Sequence, residues 1–318
     1  MLKIFLILLL SAGSLFSGCS QKDSERITEE HAAMDIQANC VFFYYEDLAR
    51  AQQFYEGILG LEQVLDYGFA SVHQITQTSF IGLVDEKEGM HSSQEPKTAT
   101  LAIVTDELEK WYDYLQEQGV EMHRTYDPAN GRAHHGFVAI DPEGYFIEFE
   151  RFTEHPENAL LMPIISNTET TYPPPGQVTS RNRELGIQTT VLWLYYRDLD
   201  SASRYYEDVF GFDQIVEQDF SNIYRSAPSS FIGLVDESRG LHRFSEEKSV
   251  TVSFISEDID NWYAHLNEKK LQMRNPLNNS EREPVRAFVT YDIEGYFLEF
   301  DWFLKDVRNE TILAILEK

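Results

Sequence analysis

Hydrophobic and polar positions follow the same order four times between residues 36 and 304. A β-prone run at 40–45 precedes a helical pattern that begins after Asp47 and ends at Gly60, two residue types suited to helix termini. The apolar face of that helix is formed by Leu48, Ala51, Phe54, Tyr55 and Ile58. Three further strands are predicted over 62–67, 69–75 and 79–84. The pattern therefore predicts a β-α-β-β-β module.

The next segment repeats this module. A strand over 98–104 is followed by a helix that ends at Gly119 and carries Leu108, Trp111, Tyr112 and Leu115 on one face. Strands are predicted over 121–126, 134–140 and 145–151. The sequence Asp141 to Gly144 places proline and glycine where a type I turn favours them. We expect Trp111, like its counterpart Trp262, to pack between helix and sheet.

An internal duplication organises the chain. Residues 36–153 align with 187–304 without a gap, and 40 of the 118 aligned pairs are identical. The repeat is a whole domain, because its period exceeds that of solenoid repeats. The predicted division is a first domain at 36–154, a linker containing three consecutive prolines at 155–186, a second domain at 187–304 and a C-terminal helix at 305–318.

The N-terminus has the pattern of a targeting segment. Residues 1–18 contain Lys3, a short apolar run and small residues directly before Cys19. This resembles a bacterial lipoprotein signal, which implies cleavage before Cys19 and its acylation. A polar tether at 19–35 would follow, and the protein would be lipid-anchored in the cell envelope, at the periplasmic face of the outer membrane in a Gram-negative cell. An ordinary secretory signal is the alternative.

Composition narrows the choice of partners. Lys and Arg total 26 against 53 Asp and Glu, which gives a formal charge of −27. Such a surface repels nucleic acid and anionic lipid. The two cysteines, Cys19 and Cys40, are too few for a disulfide framework or a cysteine-rich zinc site. We expect Cys40 to be a small buried apolar residue.

The module order and its motifs resemble the vicinal oxygen chelate superfamily, the group of glyoxalases, bleomycin-resistance proteins and extradiol dioxygenases. The motifs lie at 47–60 and 141–149 in the first copy and at 198–211 and 292–300 in the second. The resemblance implies an α+β fold of two tandem domains, in which paired β-α-β-β-β modules form an open, cupped barrel. It also implies that the two domains pack as an intrachain pseudo-dimer.

The resemblance implies a divalent metal held by residues on strands one, five and eight. The matching positions are Cys40 and Val191 on strand one, Thr100 and Thr251 on strand five, and Glu148 and Glu299 on strand eight. Even if Cys40 and Glu148 shared a zinc ion in the first copy, two ligands are too few. We therefore expect no cofactor in either cup. Glu148 and Glu299 remain candidates for ligand binding or general-base chemistry, or relics of an ancestral site.

Strand one offers an aromatic wall. Residues two apart on a strand share a face, which groups the candidates Phe42 and Tyr44 with Cys40, and Trp193 and Tyr195 with Val191. These rings would line a site for a flat or apolar molecule, or would form the barrel core. Thr100 and Thr251 complete the candidate ligand-binding residues.

The histidines are weaker candidates. His91 and His242 occupy matched loop positions, whereas His134 and His135 occur only in the first copy. They would be acid–base groups or displaced metal ligands. We expect instead that His91 and His242 lie at the surface and that His134 and His135 lie at the edge of a strand.

Three functions remain open. The first is an envelope lipoprotein that binds small organic molecules in its cups without a metal. The second is an enzyme, a metal-dependent lyase, isomerase or dioxygenase with the histidines as non-standard ligands of a divalent metal. The third is a structural interaction module at the membrane.

Overall fold

A computed structural model describes residues 34–128, 131–279 and 283–317. From Asp35 onward the chain forms one compact unit. The signal segment predicted at 1–18, Cys19 with its predicted lipid, and the predicted tether up to residue 33 lie outside the described residues. None of the described helices has both the length and the apolar character needed to cross a membrane.

Four modules of four strands each build the unit. Module 1 contains β1 (Ala38–Tyr45), β2 (Glu62–Asp66), β3 (Ala70–Gln74) and β4 (Ser79–Asp85). Module 2 contains β5 (Ala99–Val104), β6 (Met122–Arg124), β7 (His134–Ile140) and β8 (Phe146–Phe152). Module 3 contains β9 (Thr189–Tyr196), β10 (Asp213–Glu217), β11 (Ser221–Ala227) and β12 (Ser230–Asp236). Module 4 contains β13 (Val250–Ile255), β14 (Met273–Asn275), β15 (Val285–Tyr291) and β16 (Phe297–Phe303).

Each module has its helix after the first strand. These are α1 (Leu48–Gln52, continued by a π-helical turn at Gln53–Ile58), α2 (Leu108–Glu117), α4 (Leu199–Phe210) and α5 (Ile259–Glu268). The Asp47 side chain accepts a hydrogen bond from the Arg50 amide, as expected of the residue that begins the helix. Trp111 and Trp262 are buried beneath their helices, which confirms their predicted position.

The sixteen strands form two open sheets of eight. The first sheet has the order β14-β15-β16-β13-β1-β4-β3-β2, and the second has the order β10-β11-β12-β9-β5-β8-β7-β6. The expected α+β class, with paired modules and open rather than closed barrels, is confirmed. We call the concave side of the first sheet, around Cys40, Val72 and Phe80, the first cup. The second cup is the corresponding face of the second sheet, around Val191 and Ile223.

The modules pair across the two repeats rather than within one. Strand β1 pairs with β13, with Cys40 opposite Ser253, and β5 pairs with β9, with Ala102 opposite Val191. Module 1 therefore shares a sheet with module 4, and module 2 shares one with module 3. Both β5 and β13 are buried along their whole length, so their hydrophobic patterns do not distinguish the two pairings.

Buried tyrosines join the repeats beside the cups. The Tyr145 hydroxyl accepts a hydrogen bond from the Tyr44 amide at 2.9 Å and donates one to the carbonyl of Ser249 at 2.7 Å. In the matched position, Tyr296 accepts from the Tyr195 amide at 2.9 Å. Because these bonds use the backbone of Tyr44 and Tyr195, they fix the strands that carry both candidate ring pairs.

Short helices cover one side of each cup, and they extend the correspondence between the repeats. Helix α3 (Leu161–Asn167) lies in the predicted linker, and its Leu161 and Ile165 pack in the second cup. The C-terminal α6 (Glu310–Leu316) packs Ile312 and Leu316 in the first cup. Each of these four residues is 151 positions from its counterpart, so the duplication reaches beyond residues 153 and 304.

Candidate functional site

Strand β8 places two carboxylates in the second cup. Glu148 and Glu150 are two residues apart and therefore share one face of the strand. Glu148 is 8% exposed and Glu150 is 1% exposed. Glu148 lies in register with Ala102, which in turn lies opposite Val191. The carboxylates are thus set against apolar strands, where a charge without a partner is costly.

Trp193 on β9 provides a partner for the deeper carboxylate. Its indole nitrogen donates a hydrogen bond to Oε1 of Glu150 at 2.9 Å. The indole lies against Gly233 on the neighbouring strand, where an added Cβ atom would fall 2.0 Å from Trp193 Cε3. Only glycine leaves room for this close approach of ring and strand.

Tyr195 continues the aromatic wall beside Trp193. Its hydroxyl and the Thr100 hydroxyl are 2.8 Å apart and hydrogen-bonded. The His242 ring contacts Tyr195 edge-on, with ring centroids 5.0 Å apart. The second cup therefore brings together four of the sequence-predicted candidates, Glu148, Trp193, Tyr195 and Thr100.

A cavity of about 190 Å³ lies between the carboxylates and the aromatic wall. Its lining includes Glu148, Glu150, Trp193, Tyr195 and Phe152. It adjoins an open groove of about 1080 Å³. Six residues line both the cavity and the groove: Arg124, His134, Glu148, Gln218, Phe220 and Arg239. A small molecule could place one end in the cavity and extend through the groove.

The environment favours the neutral forms of both acids. Burial raises the pKa of Glu148 to about 7, and the positive charge of Arg124 only partly offsets this effect. Burial and the nearby Glu148 raise the pKa of Glu150 well above its usual range, against the hydrogen bond from Trp193. Among the described residues, none donates a hydrogen bond to the Glu148 carboxylate.

The first cup has a related arrangement with different partners. Glu299 and Asp301 on β16 match the two acids, and the Ser253 hydroxyl donates to Asp301 at 2.6 Å. Burial raises the pKa of Asp301 to about 7. The first cup also contains the predicted Phe42, which lies on Gly82, and Tyr44, whose hydroxyl is 2.7 Å from the Thr251 hydroxyl.

The strand pairing changes the expected partner of Cys40. We considered it together with Glu148, but Cys40 lies in the first sheet, in register with Ser253 and through it with Glu299. The pairing with Glu148 is wrong because β1 belongs to a different sheet from β8. Cys40 is buried, and burial raises the pKa of its thiol.

The donor sets do not fit the superfamily's divalent metal. In the second cup the residues in register with Glu148 are Ala102 and Val191, which carry no ligand atom. In the first cup Glu299 is in register with a serine and a neutral thiol. Within the described ranges, no group of three His, Cys, Asp or Glu residues could hold a metal ion.

The two loop histidines are more buried than expected, whereas His134 and His135 are the first two residues of strand β7. His91 is only 5% exposed and contacts Tyr44 and Phe297, so the expected surface position is wrong. His242 is half-buried and contacts Tyr195. Both histidines are more buried than expected because each loop folds back onto a tyrosine of its cup. His134 lines both the cavity and the groove of the second cup, whereas His135 does not.

Sequence reasoning missed Glu150 and Asp301, together with the arginines at the groove. The period of two along β8 and β16 was the available signal, since it places an acid two residues after Glu148 or Glu299 on the same face. Arg124 and Arg239 come from separate modules, and only the strand pairing brings them to one groove.

Comparison with known proteins identifies the fold. The profile of the Glyoxalase/Bleomycin resistance protein/Dioxygenase superfamily matches residues 37–149. Glyoxalase I from Zea mays has 13% sequence identity and a TM-score of 0.61 over 90% of this chain and 97% of that chain. A putative dioxygenase from Bacillus subtilis has 16% identity and a TM-score of 0.59 over 90% of each chain. A search of curated proteins finds no significant match.

Proposed function

We propose that the chain is a member of the Glyoxalase/Bleomycin resistance protein/Dioxygenase superfamily, whose model matches residues 37–149, and that it binds a small organic molecule in its second cup without a metal. The observation that carries the proposal is Glu148, a buried carboxylate that lines an open cavity and receives no hydrogen bond from the part of the chain that the structure describes. A buried polar group of this kind is ordinarily satisfied by a partner. A bound molecule would supply that partner.

The surroundings of Glu148 support binding. The aromatic rings of Trp193, Tyr195 and Phe152 offer apolar contact area, while the hydrogen bonds of Trp193 to Glu150 and of Tyr195 to Thr100 hold two of those rings in place. A few fixed polar groups in a mostly apolar concave lining are typical of ligand sites. The donor set around Glu148 does not favour the metal-dependent enzyme.

Cavity filling tests this proposal. Leu241 lies half-buried in a loop and lines the cavity, so the larger ring of Leu241→Trp would occupy it without altering a strand. Met90→Trp at the matched loop position in the first cup is the control. A fragment library is screened by ligand-observed NMR, and we expect bound fragments that the Met90 variant retains and the Leu241 variant loses. Failure of every fragment to bind, or equal binding by both variants, would refute the proposal.

We also propose that lipid on Cys19 anchors the protein in the bacterial envelope. The supporting observation is the short apolar run followed by small residues and Cys19. The full chain is produced in a bacterium fed with labelled palmitate, in the native form and as Cys19→Ala and Cys40→Ala. We expect the label to disappear only in the Cys19 variant, because Cys40 is buried. Label retained after Cys19→Ala would contradict the anchor.

A further inference from the structure

We infer that the molecule bound by the second cup is an organic cation, with its charged headgroup against Glu148 and its body in the adjoining groove. This inference rests on the proposed function and adds the chemical class of the ligand. Four features of the described residues support it: the unpaired acid, the neighbouring second acid, the aromatic lining and the charge of the groove.

The first two features concern the carboxylates. Glu148 is only 8% exposed, and it receives no hydrogen bond from a described residue. Glu150 lies on the same strand face and already accepts the indole hydrogen of Trp193. Two acids this close oppose each other's ionisation, and a bound positive charge relieves that opposition. An ammonium or amidinium group also brings the hydrogen-bond donors that Glu148 lacks.

The third feature is the aromatic lining. The rings of Trp193, Tyr195 and Phe152 line the cavity that contains the acids. Arg124 and Arg239 also line it, and the Arg239 guanidinium already lies over the Phe220 ring, 4.3 Å from its centroid. Aromatic faces attract cations, most strongly where water is excluded. Because the cavity measures only about 190 Å³, it suits a compact headgroup rather than a whole large molecule.

The fourth feature is the charge of the groove. The acidic residues that line the groove but not the cavity are Asp127, Glu157, Asp200, Glu217 and Asp219. The arginines of the groove are Arg132 and, shared with the cavity, Arg124 and Arg239. Five acids against three arginines leave a net charge of −2 before Glu148 is counted, within a chain of formal charge −27. Such a field attracts cations toward the opening and repels anions.

Three probes of similar shape test the inference: 2-phenylethylammonium, 2-phenylethanol and 3-phenylpropanoate. Binding is measured by calorimetry at pH 8, above the pKa of about 7 that burial gives Glu148. We expect the ammonium probe to bind at least tenfold more tightly than the alcohol and the carboxylate probe to bind least. Glu148→Gln keeps the size of the side chain and should reduce ammonium binding at least tenfold. Glu299→Gln in the first cup is the matched control and should leave it unchanged.

The outcomes separate this inference from the proposed function. If the alcohol or the carboxylate probe binds as tightly as the ammonium probe, or more tightly, the inference of a cationic ligand is wrong. Unchanged ammonium binding by Glu148→Gln would also overturn it. If none of the three probes binds, but neutral or anionic fragments bind and the Leu241→Trp variant loses them, the inference of a cationic ligand is wrong and the proposed binding function stands. If no fragment and no probe binds, both are wrong.

Discussion

The indole nitrogen of Trp193 donates a hydrogen bond to Glu150 across 2.9 Å inside the second cup. The matched residue in the first cup is Phe42, which has no such donor, and there the Ser253 hydroxyl donates to Asp301 instead. The hydrogen bond to the second acid of each pair therefore comes from a different strand: from β9 to Glu150 in the second cup, and from β13 to Asp301 in the first. Duplication preserved the acid pair while its hydrogen-bond donors diverged.

Replacing Trp193 with Phe should destabilise the protein, and a serine on β5 should restore part of the loss. Trp193→Phe removes the donor to a buried carboxyl group, which costs about 1–3 kcal/mol of unfolding free energy. Ala102 matches Ser253 in position, so adding Ala102→Ser copies the donor used by the first cup. Urea unfolding of the single and double variants measures both effects. If Ala102→Ser changes the unfolding free energy of the native protein and of the Trp193 variant by the same amount, the two donors are not interchangeable.

Glycine beneath each ring is a second requirement of the cups. A Cβ atom at Gly233 would lie 2.0 Å from the Trp193 ring, and one at Gly82 would lie 2.1 Å from the Phe42 ring. Gly233→Ala and Gly82→Ala should each cost about 1–3 kcal/mol, because the ring or the strand must shift. Gly57→Ala, where no atom lies within 4 Å of the added carbon, is the control and should not destabilise. Thermal unfolding compares the three, and equal melting temperatures would contradict the prediction.

The sequence predicted the modules but not which of them share a sheet. The strand expected at 134–140 is observed at His134–Ile140, and Glu148 lies inside a cup as expected. Strand β1 could pair with β5 or with β13, since both are apolar and both follow the same module order. Local patterns carry no information on that choice. The location of Cys40 relative to Glu148 therefore could not be obtained from the sequence.

The pKa of Glu148 predicts how its removal changes stability with pH. Burial raises this pKa from 4.5 to about 7, so the folded state binds the proton more tightly than the unfolded state. The stabilisation of the folded state by the protonated Glu148 is therefore complete below pH 4.5, and it is lost as the pH rises through 7. Relative to Glu148→Gln, the native protein should lose up to about 3 kcal/mol across this range.

Chemical unfolding at several pH values on both sides of these two pKa values measures this difference. Glu62→Gln, at an exposed position of β2, controls for the loss of one negative charge at the surface. A Glu148 variant whose stability runs parallel to that of the native protein over the whole pH range would show that Glu148 titrates normally.

The exchange of modules predicts that one repeat cannot form a complete monomer. In the native chain β1 pairs with β13 and β5 pairs with β9, so a fragment of residues 35–186 exposes two apolar strands, β1 and β5, that have lost their partners. Such edges favour association. Two copies of the fragment can pair β1 of one with β5 of the other and rebuild two eight-stranded sheets with two-fold symmetry. Sedimentation should therefore show a dimer for the fragment and a monomer for residues 35–318. A folded, monomeric fragment would mean that β1 and β5 pair within one repeat, against the observed sheet order.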